Sequence, residues 1–185
     1  MTTTLNAIKS HHPCSAGWDR LLAGLRKTAA DDEPLSFVRI LEINGIADAV
    51  WALRCCDDRD SVLTYAADCA EHVLSIYERQ YPDDTRVRDC ITALRRYMAG
   101  NADGSELRAA ADAAYAAASA AASAAAVAAA DAAADAAAYA AADVAARVAV
   151  AHSAAYAAAH SAADAAARVA AEKLWQSNRY KEIFG

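Results

Sequence analysis

Between Ser105 and Ala171 the chain has no glycine, no proline, no asparagine and no threonine. The first three absences remove the residues that most readily end a helix. The fourth excludes an ice-binding alanine helix, which needs a regular threonine row. Other things are missing from the whole chain. No window holds the roughly 18 strongly apolar residues of a membrane span, because alanine is too weakly hydrophobic to count as leucine would. Mean hydropathy is +0.04. Residues 1–10 lack a basic stretch followed by an apolar core, so no secretory leader is expected and the cytoplasm is the expected compartment. Positive charge is scarce: 18 Lys and Arg against 24 Asp and Glu give a net charge of −6. That excludes nonspecific nucleic-acid binding, which draws its affinity from displaced counterions. Cys14, Cys55, Cys56, Cys69 and Cys90 are odd in number and form no CxxC, so free thiols are expected rather than a disulfide framework. There is no GxSxG, P-loop, HExxH or glycine-rich phosphate cradle. No catalytic residue, metal or cofactor is expected, and no enzyme.

What is present reads as helix throughout. No stretch alternates apolar and polar residues over strand length, and alanine at high density favours helix because it loses no side-chain entropy. The fold class is all-α: a multi-helix bundle or array with an alanine-rich C-terminal set of close-packed helices. Residues 1–103 are expected to form a helical core and 104–185 an alanine-rich region packed on it, together one structural domain. Residues 2–10 have the makings of a turn or two of helix, stopped before Pro13. Ser15 is a candidate N-cap for a helix over 15–28 carrying Trp18, Leu21, Leu22 and Leu25 on one face. Residues 31–34, Asp-Asp-Glu-Pro, predict the start of a helix over about 33–43. Asn44-Gly45 ends it, with glycine in the left-handed conformation. Further helices are predicted over 46–57, 60–80 and 84–99. The 60–80 helix turns Leu63, Ala67, Ala70, Leu74 and Tyr77 to one side, and the 84–99 helix turns Val87, Ile91, Leu94 and Met98. Asp103-Gly-Ser-Glu106 has capping-box spacing at the start of the alanine region. At the other end Trp175, Tyr180, Ile183 and Phe184 look like a clasp that docks the last helix.

The alanine region is roughly two-thirds alanine, and its other residues keep a four-residue step. The row runs Tyr115, Ser119, Ser123, Val127, Asp131, Asp135, Tyr139, Asp143, Arg147, and resumes after a five-residue skip at His152, Tyr156, His160, Asp164 and Arg168. Each step drifts about 40° on a straight helix, so eight steps would wrap the row nearly round a single rod. Two or three consecutive close-packed helices fit better, with a break expected near the skip. The row is the candidate partner-binding surface: Asp131, Asp135, Tyr139, Asp143, His152, Tyr156 and His160. Its acidic members could meet a basic partner. His152 and His160 stand two turns apart, roughly 12 Å, too far to share one ion without other ligands. Likewise His11, His12 and Cys14 flank a proline and lack a second ligand pair, so a capping loop is expected there. The Tyr81–Arg88 segment reads as a structural corner, with Asp83 or Asp84 capping and Arg86 and Arg88 paired to nearby carboxylates.

Several motifs occur in a telling order: Cys14-Ser-Ala-Gly17-Trp18; Ile40-Leu-Glu-Ile-Asn44-Gly45-Ile-Ala-Asp48-Ala-Val-Trp51-Ala-Leu-Arg54; Ala66-Ala-Asp-Cys-Ala70-Glu71-His-Val-Leu; Tyr81-Pro82-Asp83-Asp84-Thr-Arg86-Val-Arg88; then the alanine-rich tail. In this the chain resembles the putative immunity protein family, small helical proteins of bacteria and their phages classed with the immunity proteins of polymorphic toxin systems. The tail departs from the family pattern: Asp, Ser, His and Tyr stand where Trp and Arg are often seen. The resemblance implies a non-enzymatic protein that binds and neutralises a target. That target would be a toxin or, for a phage-borne member, a host defence protein or its signal molecule. It also implies a structural part for Asn44, Gly45, Trp51, Arg54, Pro82, Asp83, Asp84, Arg86 and Arg88. A scaffolding protein that self-associates through alanine faces is the competing expectation.

Overall fold

The computed structural model describes residues 1–120 and 165–185. The fold is all-α, and among the described residues the one departure is a two-residue antiparallel ribbon. In it β1 (Thr2–Thr3) pairs with β2 (Leu35–Ser36), Thr2 opposite Ser36 and Thr3 opposite Leu35. Among the described residues the helices are α1 (Leu5–Ser10), α2 (Ser15–Leu25), α3 (Phe37–Asn44), α4 (Ile46–Ala52), α5 (Arg59–Glu78), α6 (Arg86–Met98), α7 (Gly104–Ala120) and α8 (Ala165–Phe184). A turn of 3₁₀ helix, Leu53–Cys55, extends α4.

Three helix starts differ from the sequence expectation. Cys14, not Ser15, is the N-cap of α2, and it makes no side-chain capping bond. The Asp31–Pro34 segment does not open α3. Leu35 and Ser36 are drawn into the ribbon, and Ser36 then caps α3 by accepting from the Arg39 amide. Asp31 instead accepts from Lys27 at 2.5 Å and from the Glu33 amide at 3.2 Å. The corner between α5 and α6 is capped at Thr85 without a side-chain bond, while Asp84 Oδ1 accepts from the Arg86 amide at 3.1 Å. Asp103 behaves as expected, accepting from the Ser105 and Glu106 amides at 2.8 and 2.9 Å. The return half of that capping box is not formed, because Glu106 turns to Arg96.

The core follows the predicted faces. Leu63, Ala67, Ala70, Leu74 and Tyr77 of α5 and Val87, Ile91 and Leu94 of α6 are all buried. α7 lies along α6 through Leu107, Ala111, Ala114 and Ala117, each at most 1% exposed. Tyr115, the first member of the four-step row, is exposed on α7. α8 docks on α3, α4 and α5. Its Tyr180 and Phe184 are fully buried and cluster with Phe37 and Tyr65, ring centres 4.7–6.0 Å apart. The Tyr180 hydroxyl donates to the Ala49 carbonyl at 2.9 Å, so the ring is buried without stranding its polar end. Large side chains from residues 5–94 meet the C-terminal clasp in one continuous core.

Candidate functional site

The first candidate site is a cleft where α2, α3 and α4 meet. Gly45 creates it. Its φ of 83° and ψ of 176° lie in a region open essentially to glycine alone. This is not the left-handed helical conformation expected of a C′ glycine, and it turns the chain sharply from α3 into α4. The turn sets Asn44, the last residue of α3, beside Asp48 of α4 and Gly17 of α2. Asn44 Nδ2 donates to the Gly17 carbonyl and to Asp48 Oδ2, both at 2.8 Å. A Cβ at Gly17 would stand 2.9 Å from Asp48 Oδ2, so a side chain there would push the carboxylate out of its place. Asn44 Oδ1 is buried and accepts no hydrogen bond. The Arg20 guanidinium reaches Asp48 only at 3.6 Å and the Asn44 carbonyl at 3.5 Å.

The cleft encloses about 130 Å³. Its walls are largely apolar, with Leu21, Ile40 and Ala52 behind and the indoles of Trp18 and Trp51 at the side. The exposed Cys14 also borders it. The Arg54 guanidinium lies 4.1 Å from the Trp51 ring centre, and its Nε donates to the Trp51 carbonyl at 2.9 Å.

At the α5–α6 corner, Asp84 gathers several donors at once. The Tyr77 hydroxyl donates to it at 2.7 Å, and Arg86 donates from Nε at 2.9 Å and from a terminal nitrogen at 2.5 Å. These Arg86 bonds, more than the Tyr77 bond, hold the Asp84 carboxyl well below the usual carboxylate range. Burial, with the adjoining carboxylate, pushes the Tyr77 phenol up to about 12. Arg88 reaches back to Glu78. Pro82 and Asp83 are exposed at the tip.

A third polar group lies in the seam of α5, α6 and α8. Asp68 accepts from Arg95 and, at 2.6 Å, from Arg179 Nε, and Arg95 also reaches Glu71 at 2.7 Å. One turn further on, Glu172 is 5% exposed. One of its oxygens accepts from Gln176 Nε2 at 2.9 Å, and the other stands 3.1 Å from His72 Nε2. Burial pushes the Glu172 carboxyl up to about 7 and lowers His72. A protonated Glu172 can therefore donate to a neutral His72. The imidazole stacks on Trp175, 3.9 Å between centres and 7° between planes. Cys69 and Cys90 are raised by burial, Cys90 to about 12, so these thiols stay protonated and unreactive.

Asn44, Gly45, Trp51 and Arg54 thus come together at the cleft, and Pro82, Asp83, Asp84, Arg86 and Arg88 at the α5–α6 corner. The proposed partner row of Asp131, Asp135, Tyr139, Asp143, His152, Tyr156 and His160 lies outside the described residues. Among the described residues no group of His, Cys, Asp and Glu converges as a metal site, and no helix is long and apolar enough to cross a membrane. Asp48 and Gly17 were within reach of sequence reasoning, since Asp48 lies one helical turn after Asn44. The Glu172–His72 pair carries no such local signal, being one hundred residues apart in the chain.

In comparison with known proteins, the sequence model of the family described as Imm-5 like putative immunity protein matches residues 49–183. The match takes in Trp51, Arg54, the α5–α6 corner and nearly all of α8, and begins after Asn44 and Gly45. No curated protein and no solved structure matches the chain.

Proposed function

The chain belongs to the Imm-5 like putative immunity protein family, and from that premise we propose that it is a non-enzymatic inhibitor that neutralises a protein toxin by binding it. The family match over residues 49–183 is the observation that carries this reading. The charge distribution supports it. On the described helices many acidic groups are engaged within the fold: Asp68 and Glu71 with Arg95, Glu78 with Arg88, Asp84 with Arg86. The tail differs in sequence, because Asp131, Asp135 and Asp143 are spaced by alanines and Tyr139 and have no basic residue three or four positions away except Arg147, four residues after Asp143. Together with a net charge of −6, this favours a partner with a basic face, met by the acidic row. Inhibition by occlusion needs no nucleophile or metal, only an interface of roughly 800 Å² on each partner.

The test is co-expression with a candidate toxin drawn from the genes that neighbour this one in its source genome. Cells that die with the toxin alone should survive when this chain is present, and the two proteins should purify as a stoichiometric complex. Equal killing with and without the chain, at matched toxin levels, would sink the proposal.

A further inference from the structure

We propose that the cleft between α2, α3 and α4 is a receptor for a single lysine or arginine side chain of the partner protein, with the Asp48 carboxylate as acceptor and Trp18 and Trp51 against the aliphatic stem. At about 130 Å³, the space is well below the roughly 300–1,000 Å³ of pockets for drug-sized ligands. It suits one side chain, not a nucleotide.

The chemistry of the lining selects the occupant. A neutral apolar group would fill the walls but would cover the Asp48 carboxylate, an unfavourable burial of charge. An anion would face the Asp48 carboxylate. An alkyl cation satisfies both elements: its stem contacts the indoles, and its N–H donors supply what the Asp48 carboxylate can accept. Asp48 is one-third exposed and its nearest cation, Arg20, is loosely held at 3.6 Å with over half of its side chain in solvent. Arg20 can swing away at little cost, since exposed pairs of this kind contribute roughly 0–1 kcal/mol. The chain also shows the preference internally, because Arg54 already lies against the Trp51 ring at 4.1 Å. Asn44 Nδ2, itself fixed by the Gly17 carbonyl, donates to Asp48 Oδ2, so the carboxylate is oriented before any ligand arrives.

That the side chain belongs to a protein partner rests on the proposed function; the pocket's preference does not. The probes are N-acetyl-arginine amide and N-acetyl-lysine amide, with N-acetyl-norleucine amide as the neutral counterpart. The readout is the indole N–H signals of Trp18, Trp51 and Trp175 in a labelled sample. Trp175, stacked on His72 in another part of the fold, is the internal control. The basic probes should shift Trp18 and Trp51 and spare Trp175, with affinity about millimolar for so few atoms. Norleucine amide should bind about tenfold more weakly or not at all. D48N should lose about tenfold in affinity for the basic probes, and R20A should gain, because it removes the internal competitor. Binding to the unaltered protein should weaken with added salt. Norleucine amide binding as well as lysine amide, salt-independent binding, or no shift at Trp18 and Trp51 would each overturn the proposal without relying on a variant. A pocket that takes the basic probes in a protein that fails to rescue cells would refute the toxin reading alone. Rescue by a protein whose pocket ignores the probes would refute only this one.

Discussion

α7 and α8 flank the same core by opposite means. α7 meets α6 with one leucine and three alanines, so its backbone can lie close while each contact removes little apolar area from water. α8 brings Tyr180 and Phe184 into a four-ring cluster with Phe37 and Tyr65, and aromatic residues of this kind bury roughly 150–250 Å² each. The aromatic helix also carries polar cargo inward: Glu172 and Gln176 are buried beside His72. The lesson is that the alanine-rich part of the chain is bracketed by two unequal anchors. α7 depends on its cap and on closeness of approach, and α8 depends on a few large side chains.

The largest expected effect therefore belongs to α8. Phe184→Ala removes a fully buried ring and should destabilise by about 3–5 kcal/mol in denaturant unfolding. A loss under about 1 kcal/mol would mean the clasp does not anchor the helix. Next comes Glu172. Its folded pKa of about 7 lies above the ordinary 4.5, so its contribution is fully present below about pH 4.5 and lost as pH rises through 7. Glu172→Gln, permanently neutral, should be more stable than the natural chain by about 3 kcal/mol at most at pH 8 and equal to it near pH 4.5. His72 has the opposite sign: its lowered pKa gives stability that is present above about 6.5 and lost as pH falls through its folded value. A Glu172→Gln curve that keeps the natural slope between pH 4.5 and 7 would refute this assignment.

On the α7 side, Ala114→Leu should cost about 2 kcal/mol by overfilling a close helix contact. No loss would show that α7 can move outward freely and would weaken the contrast between the two anchors. Smallest is Asp103→Ala, which removes the acceptor for two first-turn amides of α7 and should cost about 1 kcal/mol. Because the alanine contacts contribute so little, that loss should appear as earlier hydrogen exchange in α7, with α8 unaffected.

Much of the fold was legible in the sequence because its helices are amphipathic in the simple sense. All five residues predicted to face inward on α5 are buried, and three of the four on α6, with Met98 only partly covered. But α5 also buries Val62, Tyr65, Ala66, Cys69 and Val73, outside the predicted stripe. The clasp was legible because Tyr180 and Phe184 fall on one face, four residues apart. The ribbon was not. Thr2–Thr3 and Leu35–Ser36 are too short to alternate, and they pair because of contacts made over thirty residues away. That long-range pairing also displaced the start of α3 from the Asp31–Pro34 signal to Ser36. The α5–α6 corner was read correctly as a place where Asp84, Arg86 and Arg88 find partners, since those partners are close in the chain. The cleft was only half visible. Asn44, Gly45 and Trp51 stood out in a motif, but the unbonded Asn44 Oδ1 and the closeness of Gly17 to Asp48 exist only once α2 lies against the α3–α4 corner. Glu172 and His72 were invisible for the same reason, on a longer span.

The central proposal is that the aromatic core holds the structure while the acidic row of the tail supplies target affinity that can be removed without unfolding the chain. Reversing Asp131, Asp135 and Asp143 together to lysine, and titrating the variant against the proposed toxin partner, tests this most directly. The account predicts an unchanged unfolding midpoint and an affinity weaker by about tenfold or more. An affinity equal to that of the natural chain would contradict it.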